Sequence, residues 1–283
     1  MVTKGVLVAA GYGTRFLPIT RTIPKEMLPI VDRPAIDLVV SELIEAGVTD
    51  LLVITSRRKK ALDDWFDRDP ELEAAVADDP AKLARVMPPK VRTTFIRQEK
   101  MGGTGDALRL ARQFAGNDPV LVAFPDDLLG QPNASAQLIA AHEATGGSVL
   151  AAADLGDADV SRYGVLDATR EGDLWRVRGV VEKPAPGTAP SSLISVGRYL
   201  YTPDFFAALD ARPPAHGGEW TPMDAMAALG AANRLVATVL KAPRWDTGTP
   251  LGWLQALTDA ALADPRLAEA YAAWLRERLA ARG

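Results

Sequence analysis

Two segments near the N-terminus carry the residues best suited to do chemistry. The first is Ala9-Ala10-Gly11-Tyr12-Gly13-Thr14-Arg15-Phe16-Leu17-Pro18, and the second is Pro24-Lys25-Glu26-Met27-Leu28-Pro29. Two closely spaced glycines after an apolar run let backbone N–H groups approach and cradle phosphate oxygens. Arg15 and Lys25 add two cations to the same extended loop, a combination suited to a polyphosphate. A dinucleotide loop is the first rival, because Asp32 lies at the expected ~20 residues past Gly11. The third glycine of that fingerprint is missing, however, and Pro18, Pro24 and Pro29 block the immediate helix it requires. A P-loop must end in Gly-Lys-Ser/Thr, and no such tripeptide occurs.

Further along, the apolar run Val120–Phe124 leads into Pro125-Asp126-Asp127, and Asp246 lies in Arg244-Trp245-Asp246-Thr247-Gly248. A strand ending in this way places Asp126 at the carboxyl edge of a sheet, where α/β proteins bind their ligands. Taken alone, Asp126 or Asp127 could merely begin a turn, a reading that fits Asp127 better than Asp126. Glu182-Lys183-Pro184, taken alone, is a hairpin end with solvated charges, and Arg57-Arg58-Lys59-Lys60 is a solvated helix start. Gln98 follows the candidate strand Arg92–Arg97 and carries an amide able to donate and accept together.

The elements that must position these residues alternate in type, as in an α/β protein with a largely parallel sheet. The patterning predicts strands over Gly5–Ala10, Asp50–Thr55, Arg92–Arg97, Pro119–Phe124 and Ser148–Ala153. Helices are predicted over Ala35–Ala46, Leu62–Ala77, Gly105–Phe114 and Ala134–Ala144. From about Gly156 the texture changes. Tyr163–Leu166 and Leu174–Val181, joined by the turn-rich Asp167–Asp173, read as a hairpin, and Ser195–Tyr201 as another strand. Thr202-Pro203, Thr221-Pro222, Thr249-Pro250 and Asp264-Pro265 read as helix starts with a cap followed by proline. Two helices are expected from Pro250 to about Ala281, with no repeat and no domain break.

Composition narrows the class. The chain has 283 residues, 48% apolar and 24% charged, which is ordinary for a globular protein with a sizeable core. It has no cysteine, which excludes disulfides, thiolate metal sites and a cysteine nucleophile. His142 and His216 are too few for a histidine-rich metal site. A net charge of −4 argues against a nucleic-acid backbone as main partner. No apolar run approaches the ~18 residues of a membrane span, and the first apolar run is too short for a secretory signal. The expectation is a cytoplasmic enzyme acting on small anionic molecules, with neither nucleic acid nor membrane as partner.

The glycine loop and the Pro24–Pro29 segment together resemble the signature of the sugar-1-phosphate nucleotidyltransferases, nearest to the bacterial branch that uses UTP and glucose-1-phosphate. Arg97-Gln98, Phe124-Pro125-Asp126-Asp127, Tyr163-Gly164-Val165, Val181-Glu182-Lys183-Pro184, Val196-Gly197-Arg198-Tyr199 and Trp245-Asp246-Thr247-Gly248 follow in family order and near family spacing. The resemblance therefore covers nearly the whole chain. It implies a Rossmann-like, mixed and mostly parallel central sheet flanked by helices. A small β-hairpin sugar-binding region and a helical C-terminus complete the implied fold. The implied division is a nucleotide-binding half over 1–155, a sugar-phosphate-binding half over 156–248 and C-terminal helices over 249–283, all in one domain.

The resemblance also implies the reaction: glucose-1-phosphate attacks the α-phosphorus of UTP and releases pyrophosphate, giving UDP-glucose. The nucleophile is already anionic, so no general base is needed; the task is to align charged reactants and neutralise developing charge. On the family pattern Asp126 and Asp246 share one Mg2+, Lys25 meets the α-phosphate and Arg15 the departing phosphates. Lys183 is assigned to the sugar phosphate, Glu182 and Glu219 to the sugar, and Gly164 to close approach of the sugar. Ala10, Gly11, Gly13, Thr14, Gln98 and Gly103 form the implied nucleotide site, with Gln98 reading the imide edge of the base. A homo-oligomer, dimer or tetramer, is implied as well.

Four stretches depart from that branch. Glu99 stands where a glycine is usual, and Gly103-Thr104-Gly105-Asp106-Ala107 replaces Gly-Leu-Gly-His-Ala. Glu219-Trp220-Thr221-Pro222-Met223-Asp224 replaces Glu-Ile-Gln-Leu-Thr-Asp, and Asp246-Thr247-Gly248-Thr249 replaces Asp-Cys-Gly-Asn. None removes an expected magnesium or phosphate ligand, but they loosen the inference to uracil and glucose. Use of dTTP or another sugar-1-phosphate is the nearest alternative. A non-catalytic paralogue that senses nucleotide-sugars is the alternative of a different class; it would be marked by loss of Lys25, Asp126, Lys183 or Asp246, and all four are present.

Overall fold

The computed structural model describes residues 1–211 and 218–281, so His216 and Gly217 lie outside the described residues. The N-terminal part runs β1 (Lys4–Val8), the short strands β2 (Pro29–Ile30) and β3 (Arg33–Pro34), α1 (Ala35–Glu45), β4 (Asp50–Thr55), α2 (Lys60–Phe66), α3 (Pro70–Ala75), α4 (Pro80–Val86) and β5 (Arg92–Arg97). Next come α5 (Thr104–Arg109), α6 (Arg112–Ala115), β6 (Val120–Ala123), β7 (Asp127–Leu129), α7 (Ala134–Thr145) and β8 (Ser148–Asp154). The remainder comprises β9 (Gly164–Glu171), β10 (Leu174–Glu182), β11 (Leu193–Tyr201), α8 (Pro203–Asp210), α9 (Met223–Ala231), β12 (Leu235–Val239), β13 (Arg244–Asp246), α10 (Pro250–Ala263) and α11 (Ala268–Ala280).

Nine strands form one mixed sheet in the order β5-β4-β1-β6-β11-β8-β12-β10-β9. The block β5-β4-β1-β6 is parallel throughout, and β12 runs parallel to β8. Only β10 and β11 run against the common direction. Alternation along each central strand feeds two cores, one on each face. In β1, Leu7 enters one and Val6 the other; in β4, Leu51 and Val53 oppose Leu52 and Ile54. Burial on both faces explains why these strands read as continuous apolar runs.

Helix α1 covers one face because Ile36, Val39, Val40 and Leu43 recur at helical spacing and are all buried. Gly47, at φ +103°, turns the chain out of it. Ala107 and Leu108 of α5, Phe205 and Leu209 of α8, and Met226 and Leu229 of α9 cover the other face. Each such buried Leu, Ile or Phe contributes roughly 1.5–3 kcal/mol relative to exposure. Among the described residues no helix is long and apolar enough to cross a membrane.

Several elements differ from expectation. The helix expected over Leu62–Ala77 breaks at Asp67–Asp69 into α2 and α3, because the Asp69 carboxylate caps the new helix by accepting from Leu72 N at 3.0 Å. Gly105–Phe114 is likewise two short helices, α5 and α6. The hairpin strands extend through most of the expected turn, leaving only Gly172-Asp173 between β9 and β10. Thr249 caps α10 as expected by accepting from Gly252 N, but α9 begins only at Met223 and α11 at Ala268. The Asp264 carboxylate accepts from Arg266 N and forms a turn before the last helix instead.

Candidate active site

The carboxyl ends of β1, β5 and β6 converge on one cleft. After β6 the chain turns sharply through Phe124–Asp127, and β7 pairs with β13 in register Asp127↔Asp246, Leu128↔Trp245 and Leu129↔Arg244. This three-residue ladder brings together carboxylates far apart in sequence. Gly248 lies between them: a β-carbon there would stand 2.9 Å from Asp126 Oδ2 and 3.1 Å from Asp246 Oδ1. The Thr247 hydroxyl donates to the Asp126 carbonyl at 2.9 Å, closing the two segments together.

A buried ion pair braces this turn from behind. Arg198, completely buried in β11, donates to the Glu42 carboxylate of α1 at 2.8–3.2 Å and to the carbonyls of Phe124 and Gly197. Glu42 also accepts from the backbone and hydroxyl of Ser135, so its remaining lone pairs are used. Gly197 N donates to Asp127 Oδ2 at 2.9 Å, and a side chain at Gly197 would collide with that carboxylate. The Val196-Gly197-Arg198-Tyr199 motif is thus scaffold for the acidic turn.

The three aspartates sit in different electrostatic settings. Burial pushes Asp126 up, but the Lys25 ammonium, ion-paired and hydrogen-bonded to Oδ2, outweighs it and holds the carboxyl below its ordinary value. Burial also opposes the Lys25 charge, yet Asp126 and Glu26 together raise its pKa. Burial dominates at Asp127, whose pKa is raised despite Arg244 at 2.6 Å; Asp126 and Asp246 push it the same way. Asp127 is held by Arg244 and Gly197; it lines the second cavity with Asp126 and Asp246, and Asp126 alone of the three lines the first cavity as well. Among the described residues no cluster of three or more acidic, histidine or cysteine side chains could hold a metal.

The glycine loop lies over this floor. Gly13 at φ +66° starts a short turn, and its missing β-carbon leaves room for Thr20 and Lys25. Arg15 Nη1 reaches across to the Gly248 carbonyl at 3.4 Å, linking the loop to the Asp246 segment. Glu26, almost fully buried, accepts from Lys59 Nζ at 2.7 Å through both oxygens. This corrects the solvated reading at one position: Arg57, Arg58 and Lys60 are exposed, but Lys59 is buried, and burial lowers its pKa although Glu26 opposes the shift. Asp32 pairs with Arg85 and Arg266 at 2.9 Å on the surface, outside the cleft, in keeping with rejection of the dinucleotide reading.

Two cavities open from this floor. One, of about 290 Å³, is lined by Ala10, Gly11, Lys25, Gln98, Gly103, Asp126 and Glu219 among others. The other, of about 410 Å³, is lined by Arg15, Tyr163, Gly164, Glu182, Lys183, Tyr199, Glu219 and Asp246 among others. They share Thr104, Phe124, Asp126 and Glu219. Every expected site residue except Gly13 and Thr14 lines one of the two. Thr14 lines instead a third hollow, together with Lys59.

The hairpin positions the second cavity. Gly164 and Glu182 are cross-strand partners, and a β-carbon at Gly164 would lie 3.1 Å from Glu182 Oε2. Lys183, at φ +46°, turns out of β10 while its N–H donates to the Tyr163 carbonyl. Around the first cavity, the 219–221 segment is stitched onto the 102–105 loop: Trp220 N donates to the Gly102 carbonyl and Gly105 N to the Trp220 carbonyl, both at 2.7 Å. Gly103, at φ +98°, could carry no side chain, since its β-carbon would lie 2.6 Å from the Trp220 carbonyl.

The chain belongs to the nucleotidyl transferase family, whose model matches residues 4–263. It is 36% identical over 282 residues to a UTP–glucose-1-phosphate uridylyltransferase of Staphylococcus epidermidis, covering 98% of both chains. Among solved structures it is similar to a UTP-bound UGPase from Acinetobacter baumannii, with 32% identity, a TM-score of 0.89 and 98% and 99% of the two chains covered. A UDP-glucose pyrophosphorylase complexed with UDP-glucose is 35% identical, with a TM-score of 0.81 over 92% of this chain and 98% of that one. The Rossmann-like mixed sheet expected from the sequence is borne out by these likenesses.

Proposed function

We propose that this protein transfers a uridylyl group from UTP to glucose-1-phosphate, giving UDP-glucose and pyrophosphate. The observation that carries the reading is the junction of the two cavities at Asp126, with Asp246 facing it across Gly248. A nucleoside triphosphate in the first cavity and a sugar phosphate in the second would meet there, so that attack in line with the departing pyrophosphate needs no movement of the acidic floor. The names and bound ligands of the relatives support the choice of UTP and glucose-1-phosphate.

In this reading Lys25 neutralises the α-phosphate and Arg15 the departing phosphates, while Lys183 takes the sugar phosphate and Glu182 and Glu219 the sugar hydroxyls. Ala10, Gly11, Gln98 and Gly103 hold the nucleotide, and Gly13 shapes the loop that carries them. Residues 1–155 act mainly on the nucleotide, 156–248 mainly on the sugar phosphate, and 249–283 close the fold. Asp126 and Asp246 suit Mg2+: two hard carboxylates on either side of Gly248 would leave positions for water and phosphate oxygens. Bound there, the ion would supply neutralisation of charge on the phosphates. A cytoplasmic dimer or tetramer belongs to the same reading, and light scattering on the purified protein tests the assembly.

The direct test mixes protein, Mg2+ and glucose-1-phosphate with UTP, dTTP, CTP or ATP, and follows both pyrophosphate and nucleotide-sugar by chromatography. UDP-glucose from UTP at the highest efficiency is expected. Absence of UDP-glucose, or a clear preference for dTTP, overturns the assignment.

A further inference from the structure

Asp106 is one of the departures from the resembling branch, and its carboxylate is not idle. Gln98 is buried at the end of β5 and lines the first cavity. Its Nε2 donates to Asp106 Oδ2 at 2.8 Å and to the Gly103 carbonyl at 3.1 Å. Both partners are acceptors only, so the amide has one satisfactory orientation, and both of its N–H groups are used. Among the described residues nothing donates to Oε1, which is left as the polar atom that Gln98 can offer to a ligand.

Two further features serve this contact. A β-carbon at Gly102 would lie 2.9 Å from Asp106 Oδ2 and Cγ, so only glycine there leaves the carboxylate its place. Arg109, one helical turn on, comes within 3.9 Å of Asp106 Oδ1 and stacks over Trp220 at 4.1 Å. The negative charge near the triphosphate site is thereby partly offset.

We propose that Asp106 is a positioning residue for base selection: it locks the Gln98 amide with its oxygen available to the nucleotide, so that the site takes a base offering an N–H and rejects cytosine. The inference rests on the nucleotidyltransferase reading of the first cavity and goes beyond it. Uracil presents N3–H at the centre of its edge, which Oε1 can accept. Cytosine presents a lone pair at the same position, which would face the lone pairs of Oε1. A glutamine free to turn its amide over would donate to that lone pair and admit CTP. Thymine shares the uracil edge, so the lock does not separate UTP from dTTP.

The test compares kcat/KM for UTP and CTP in the wild type, Asp106→Asn and Gly102→Ala, with thermal melting of each. Asp106→Asn can donate to Oε1 as well as accept from Nε2, and Gly102→Ala displaces the carboxylate while keeping both side chains. A charge-assisted hydrogen bond sets the scale, so the UTP-to-CTP ratio is expected to fall about tenfold in each variant. General damage to α5 would lower both efficiencies together and leave the ratio unchanged. An unchanged ratio in both variants, with UTP still used by the wild type, overturns the role of Asp106 alone. A wild type that does not turn over UTP removes the reading beneath it and the proposal with it.

Discussion

The two cavities meet at Asp126 but are built differently. Around the first cavity, the proposed nucleotide site, the polar groups are partly or wholly buried and already paired: Lys25 with Asp126, Lys59 with Glu26, Gln98 with Asp106. Around the second cavity, the proposed sugar site, Glu182 and Lys183 stand at the end of a hairpin with side chains 45% and 67% exposed, and among the described residues their ion pair is with each other, at 3.4 Å. The first set rests on the carboxyl edge of a parallel sheet with a core on each face; the second hangs from β9 and β10, the last strands of the sheet. On the proposed assignment, the nucleotide cavity would be organised before a ligand arrives, whereas the sugar-side charges would gain their order from the substrate. Preorganised charge is where transition-state stabilisation is largest.

The largest effect should follow from breaking the floor common to both cavities. Asp126→Asn and Asp246→Asn are each expected to lower kcat by at least ~10³-fold, since losing a charged group aimed at the reacting phosphates costs several kcal/mol of barrier. Melting curves should stay close to wild type. Near-normal turnover of either variant at saturating Mg2+ would separate that carboxylate from the chemistry.

The scaffold beneath the floor is next. Arg198→Met leaves Glu42 buried without its partner, and breaking such a pair typically costs about 3–5 kcal/mol. Chemical denaturation should show a loss of this size. A loss below ~1 kcal/mol would mean that the acidic turn does not depend on the Arg198 brace.

The contrast itself is sharpened by two lysines. Lys25→Ala should weaken use of the triphosphate by about 10²-fold, because it also strips Asp126 of its partner. Lys183→Ala should raise KM for glucose-1-phosphate about tenfold with little change for UTP, as expected of an exposed cation that meets one phosphate. Calorimetry showing unaltered sugar-phosphate affinity in Lys183→Ala would withdraw that role.

A change in stability, not activity, is expected at the buried wall of the second cavity. Burial pushes the Tyr199 hydroxyl up to about 12, although the Ser195 hydroxyl donates to it at 3.0 Å. Between pH 10 and 12 the unfolded chain would have lost this proton while the folded chain keeps it, so stability falls as pH rises. Two pKa units correspond to about 2.7 kcal/mol at most. Tyr199→Phe should flatten the alkaline fall in denaturation free energy by up to that amount; an identical slope would show that Tyr199 ionises normally.

Much of this was legible in the sequence, for identifiable reasons. β4 and β5 match their expected bounds, and β1 and β6 differ by one or two residues at their ends. The glycine loop and Lys25 are contiguous and so readable. The β7–β13 ladder was not, because three-residue strands carry no periodicity and their pairing spans more than a hundred residues. Lys59 looked solvated because its partner Glu26 lies on another segment. Asp106 showed in the sequence only as a departure from the resembling branch, because only the fold brings its carboxylate to Gln98. Asp69-Pro70 and Asp79-Pro80, which start α3 and α4, are cap-and-proline pairs like those that mark α8 and α10, and so carry a signal for both helices in the sequence.

The most direct test of the contrast is calorimetric titration of the free protein, in the presence of Mg2+, with UTP and with glucose-1-phosphate separately. UTP should bind on its own, while glucose-1-phosphate alone should bind at least tenfold more weakly than it does once a non-hydrolysable UTP analogue is present. Equal affinity for glucose-1-phosphate with and without the analogue would contradict the account, since the sugar side would then be as fully organised as the nucleotide side.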